Sequence, residues 1–162
     1  MTAAMTLVPT PRKKEALPVL LRHTDDSVSK LNRKFGDLIF AEGVLAISKL
    51  GDDARPAIPA LVKWLSQLKK DGIRLAVYPA GALLIIDPNN RQSQLFLTNS
   101  LQQLIDVLDD HPLFAADVLA RLGPKARSAA PHLQPYLKHQ DPEVRKAISE
   151  AMKKITAKED RK

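Results

Sequence analysis

Basic side chains at helical spacing are the residues in this sequence best placed to do chemistry, and that chemistry is recognition of an acidic surface. Lys30, Arg33 and Lys34 recur at i, i+3 and i+4, so a helix carries all three on one face. Lys146, Lys153 and Lys154 fall off the apolar stripe of the last helical segment, and Arg74 stands near the start of another. Solubilising surface charge gives the same pattern, so both readings stand at this level.

Catalytic constellations are sparse. His23 and His111 sit at expected helix junctions, His139 lies in a polar turn, and His132 stands where Ala60 stands in a related segment. None is three or four residues from another histidine or a helical glutamate, the spacing that would aim two ligands at one metal ion. Cysteine is absent, which removes thiolate ligands, disulfides and cysteine nucleophiles together. The six glycines are scattered, with no phosphate-cradling loop and no Gly-x-Ser-x-Gly turn. Asp106, Asp109 and Asp110 lack the spacing of a calcium loop and read as a solvated face or an early helix end. The chain is therefore expected to be no enzyme and to need no cofactor or metal.

The formal charge of +7 is unevenly spread. Residues 1–75 carry 13 basic and 8 acidic groups, residues 76–120 carry 1 and 5, and residues 121–162 carry 11 and 5. A protein tracking a nucleic-acid backbone along its length is expected to keep one sign along that path, so a protein partner with an acidic surface is favoured and nucleic acid is the alternative. The longest nearly apolar run, Leu75 to Ile86, falls short of the roughly 20 residues that span a bilayer, and the start of the chain does not read as a secretory signal. No membrane association and a cytoplasmic location are the expectations.

The elements that must position these residues are helices. Leu50-Gly51-Asp52-Asp53-Ala54-Arg55-Pro56-Ala57-Ile58-Pro59-Ala60-Leu61 aligns with Leu122-Gly123-Pro124-Lys125-Ala126-Arg127-Ser128-Ala129-Ala130-Pro131-His132-Leu133, and the match runs on through Trp64 with Tyr136 and Leu65 with Leu137. Apolar positions 54, 58, 61 and 65, and likewise 126, 130, 133 and 137, trace one helical face. Leu97, Leu101, Leu104 and Leu108 repeat that spacing after a loop at residues 88–91, and Ala16 to Leu21 gives a partial copy. Partner helices are predicted at Val28 to Lys49 with a break near Gly36, Ile73 to Ile86, Pro112 to Leu122, and Pro142 to Ile155. The expected core is Ile58, Leu61, Leu65, Leu83, Leu97, Leu101, Leu104, Val118, Leu119, Ala130, Leu133, Leu137, Ala147, Ile148, Ala151 and Met152. Trp64 and Tyr136 are expected at its edge.

The doubled Leu-Gly-x-x-Ala-x-x-Ala-x-Pro-x-Leu and the run Asp141 to Met152 resemble HEAT-like helical repeats of the short bacterial type related to those of phycobilisome lyases. The resemblance covers roughly residues 16–156. It implies an all-α fold, an α-α superhelix of about four hairpins, with the repeat domain over 13–157 and tails at 1–12 and 158–162. It further implies that Asp141 and Arg145, and approximately Asp71 and Arg74, form a ladder between neighbouring repeats, and that second helices line a concave binding surface. The implied function is a non-catalytic scaffold for a macromolecular partner. The same repeat also builds DNA glycosylases and chromophore-lyase subunits, which are the alternatives.

Overall fold

The computed structural model describes residues 13–28, 36–70 and 74–157. All regular structure among them is helical, with no strand. The chain divides into two compact units, residues 1–88 and 89–162.

In the first unit, α1 (Lys13–Val28) packs on α2 (Gly36–Ser48). A 3₁₀ segment, Gly51–Ala57, leads into α3 (Ile58–Lys70), and a short 3₁₀ turn, Arg74–Ala76, leads into α4 (Val77–Ile86). Helix α4 packs on both α2 and α3, and nearly every residue of it is buried, which explains why its sequence is apolar all round. Pro79 stands in its first turn, where a missing amide proton costs the helix little.

Helices α1 and α2 approach closely at Gly43. Thr24, buried, turns its hydroxyl onto the Leu20 carbonyl at 2.7 Å, and a Cβ added at Gly43 would fall 2.2 Å from Thr24 Oγ1. Gly43→Ala is therefore expected to destabilise the chain by about 1–3 kcal/mol through overpacking. Thr24→Ala on top of it should recover part of that loss, read as non-additivity in a denaturant-unfolding double-mutant cycle. Additive losses would show that the two sites do not press on one another.

The second unit runs α5 (Arg91–Asn99), α6 (Leu101–Ile105), a 3₁₀ turn Asp106–Leu108, and α7 (Pro112–Leu122). A 3₁₀ segment Gly123–Ala129, α8 (Ala130–Leu133) and a second 3₁₀ segment Gln134–Lys138 then lead to α9 (Pro142–Thr156), which packs on α7 and on these 3₁₀ segments. The Asn90 side chain caps α5 by accepting the Ser93 amide at 3.0 Å, and the Asp141 carboxylate caps α9 by accepting the Glu143 amide at 2.8 Å.

The doubled sequence motif becomes doubled geometry. Gly51 and Gly123 both have positive φ, 60° and 58°. At Gly123 ψ is −138°, a combination that side-chain-bearing residues strongly resist. In both copies the same positions are buried: Leu50 with Leu122, Ala54 with Ala126, Ala57 with Ala129, and Leu61 with Leu133.

The predicted core needs correction at six places. Ile58, Leu101, Ala130, Leu137, Ala147 and Met152 are half-buried. At 58 and 130 the cause is local. Both copies begin in 3₁₀ geometry, where residues three apart share a face, so Ala57 and Ala129 take the inward positions expected of their neighbours. Leu137 lies in a 3₁₀ segment because Pro135, which has no counterpart in the first copy, interrupts the single α-helix expected there. Leu101 follows a break at Ser100 (φ −118°, ψ 30°), a residue type that competes with helix by side-chain bonding. The break shifts the inward face to Leu104, Val107 and Leu108. Trp64 is also corrected: it is fully buried in the first unit's core.

Candidate functional site

Helix α9 presents the most complete candidate surface. Val144, Ile148, Ala151 and Ile155 point inward at spacings of four, three and four, and this stripe is why the segment folds against α7. Lys146 and Lys153 are exposed on the other side. Seven residues apart, they share one azimuth and stand about 10.5 Å apart along the axis. Lys153 and Lys154 also occupy the last turn, where positive charge complements the helix dipole.

Other predicted residues are dispersed. Lys30, Arg33, Lys34 and Asp71 lie outside the described residues. Arg74 is exposed in the 3₁₀ turn that precedes α4. Asp141 and Arg145 bond within their own turn: Asp141 caps α9, while Arg145 donates to the carbonyls of His139 and Gln140 at 2.7 and 2.8 Å. These bonds brace the entry to α9, a local role in place of the one expected between repeats.

The structure sorts the basic side chains by what they already hold. Lys63 donates to Asp25, Arg55 faces Asp52, Arg121 pairs with Asp117, and Lys125 donates to Gln94. Arg127 holds the carbonyls of Thr156 and Ala157 and so closes the C-terminal end of α9. Among the described residues, Lys146 and Lys153 are outside any such bond, as are Lys49, Arg74, Arg91, Lys138 and Lys154; what sets the pair apart is its shared face on one regular helix.

Sequence reasoning missed a pair of aromatic-carboxylate contacts. Trp64 Nε1 donates to Asp25 at 2.9 Å, and the Tyr136 hydroxyl donates to Asp109. The donors occupy equivalent repeat positions, and that equivalence was the available signal; the acceptors come from earlier segments that no fixed offset relates. Hydrogen bonds from Trp64 and then Lys63 hold Asp25 below its ordinary value of 3.8. Asp109 is thus committed to Tyr136, and Asp106 accepts from Gln102. Among the described residues no three His, Cys, Asp or Glu side chains converge on a metal position. The histidines do not converge either: His23 and His132 are exposed on α1 and α8, His111 precedes α7, and His139 stacks on Tyr136 while its Nδ1 accepts the Asp141 amide.

Burial first, and the bond to Asp109 second, push the Tyr136 phenol up to about 12 from 10.0. Raised in the folded state, this group contributes stability below pH 10 that is lost as pH rises through about 12. Phenolate absorbance, taken as the difference from a Tyr136→Phe variant, should show that late titration. Asp109→Asn should bring it down only part of the way, since burial is the larger cause; an unmoved titration would remove Asp109 from the explanation.

No helix among the described residues is long and apolar enough to cross a membrane. Neither family models, nor curated proteins, nor solved structures give a significant match to this chain.

Proposed function

We propose that the chain is a non-catalytic binding scaffold, a HEAT-like array of helical hairpins that presents the outer face of α9 to a protein partner bearing carboxylates. The observation that carries this reading is the pair Lys146 and Lys153: exposed, on one face of one regular helix, and outside any ion pair or side-chain hydrogen bond. The helical-repeat reading is supported by the doubled motif, whose two copies share turn geometry and burial. Glu143 and Glu150 are exposed on the same face and would repel a uniformly anionic polymer, which favours protein over nucleic acid.

The test is binding to a helical peptide with glutamates repeated every seven residues, compared with double-stranded DNA. Peptide binding should weaken as salt shortens the screening length to about 3 Å at 1 M. Lys146→Glu with Lys153→Glu should abolish it and leave the melting temperature nearly unchanged, because exposed charges contribute little to folding. Undiminished binding by the double variant at low salt would show this surface to be the wrong one, and tighter binding to DNA would favour the nucleic-acid alternative.

A further inference from the structure

The exposed stripe of α9 carries an order of charge that a basic patch alone does not explain. Glu143, Lys146, Glu150 and Lys153 are all exposed, at spacings of three, four and three, on the side opposite Val144, Ile148, Ala151 and Ile155. Their signs alternate. Neighbours at these spacings are close enough to pair along the helix, yet among the described residues none of the four is drawn into an ion pair.

Read from the other end, the same stripe runs Lys, Glu, Lys, Glu. Two copies laid antiparallel about a two-fold axis level with Ile148 set Glu143 opposite Lys153 and Lys146 opposite Glu150, and symmetry repeats both pairs. Laid parallel in register, every charge would meet its like. We infer that the outer face of α9 is a self-complementary surface, and that the acidic partner met by Lys146 and Lys153 is a second copy of this chain, docked antiparallel through its own α9.

Two further features fit this arrangement. The antiparallel helices oppose their dipoles, so each acidic first turn, with Glu143, lies near the other's basic last turn, with Lys153 and Lys154. Ala147 is half-buried beside the axis, and its small side chain lets the helices approach. Such an interface is isologous, with one patch meeting itself. Exposed ion pairs are individually weak, so the association is concentration-dependent and salt-sensitive.

This inference rests on the reading of Lys146 and Lys153 as partner-facing, and the experiment separates the two. Sedimentation equilibrium of the full chain at low salt should give a mass rising with concentration from 17.9 kDa toward twice that value. Lys146→Glu/Lys153→Glu makes the stripe wholly acidic, and Glu143→Lys/Glu150→Lys makes it wholly basic. Each variant alone should stay monomeric with an unchanged helical spectrum, and an equimolar mixture should form the heterodimer. A parent monomeric at every concentration overturns self-association; if that monomer still binds the glutamate peptide through Lys146 and Lys153, the scaffold reading survives without it. A parent dimer that neither variant disturbs places the association elsewhere and also overturns the inference.

Discussion

Trp64→Ala is expected to lower the stability of the first unit by about 3–5 kcal/mol, the range for emptying a buried large aromatic site. Trp64 is fully buried, and it meets Phe40 edge to face with ring centroids 5.8 Å apart. Its indole N–H reaches out of the core to Asp25 at 2.9 Å, so the side chain satisfies its one polar atom without a buried partner. Two controls divide packing from bonding. Trp64→Phe keeps most of the apolar volume and loses the donor, and it should cost far less than Trp64→Ala. Asp25→Ala removes an acceptor that is 52% exposed, so the indole can find water instead, and its effect should be small. Denaturant unfolding of the three variants checks the order. A Trp64→Ala loss below about 1 kcal/mol would mean that the core closes over the gap.

Leu133→Ala should cost about 2–5 kcal/mol in the second unit, from lost transfer energy and from the cavity left behind. Leu133 is fully buried in the one short α-helical stretch between two 3₁₀ segments, and α9 packs against that stretch. Rearrangement to fill the gap is restricted, because Pro131 and Pro135 fix the backbone on both sides. The equivalent position in the first unit, Leu61, is also fully buried, so Leu61→Ala should show a loss of the same order. Urea midpoints at constant slope would measure both. A negligible loss at 133 with a full loss at 61 would show that the copies share a pattern but not a packing role.

Much of the helical framework was legible because its punctuation is local. Pro112 begins α7 and Gly123 ends it, and Asp141-Pro142 begins α9, as expected from residues that cap or cannot continue a helix. The inward stripe of α9 could be read from spacing alone, because fifteen residues of regular α-helix keep one period throughout. The candidate residues Lys146 and Lys153 were placed on its outer face by the same arithmetic.

What the sequence by itself determined was therefore where chain direction changes and which face of each regular helix is apolar: Gly51 and Gly123 in their turns, Leu61 and Leu133 in their cores, Lys146 and Lys153 outside. Tertiary structure decided what depends on helix type and on distant partners. The choice of 3₁₀ over α geometry moved burial from Ile58 to Ala57 and from Ala130 to Ala129, since a period of three and one of 3.6 diverge within a turn. Only folding brought Asp25 to Trp64 and Asp109 to Tyr136, made Trp64 a core residue, and turned Arg127 and Arg145 onto backbone carbonyls. A charge is visible in sequence wherever it occurs, but whether it is already bonded depends on groups that spacing along one helix does not reveal. That is the physical reason spacing could place Lys146 and Lys153 on the outer face of α9, while only the folded chain shows that neither is bonded there.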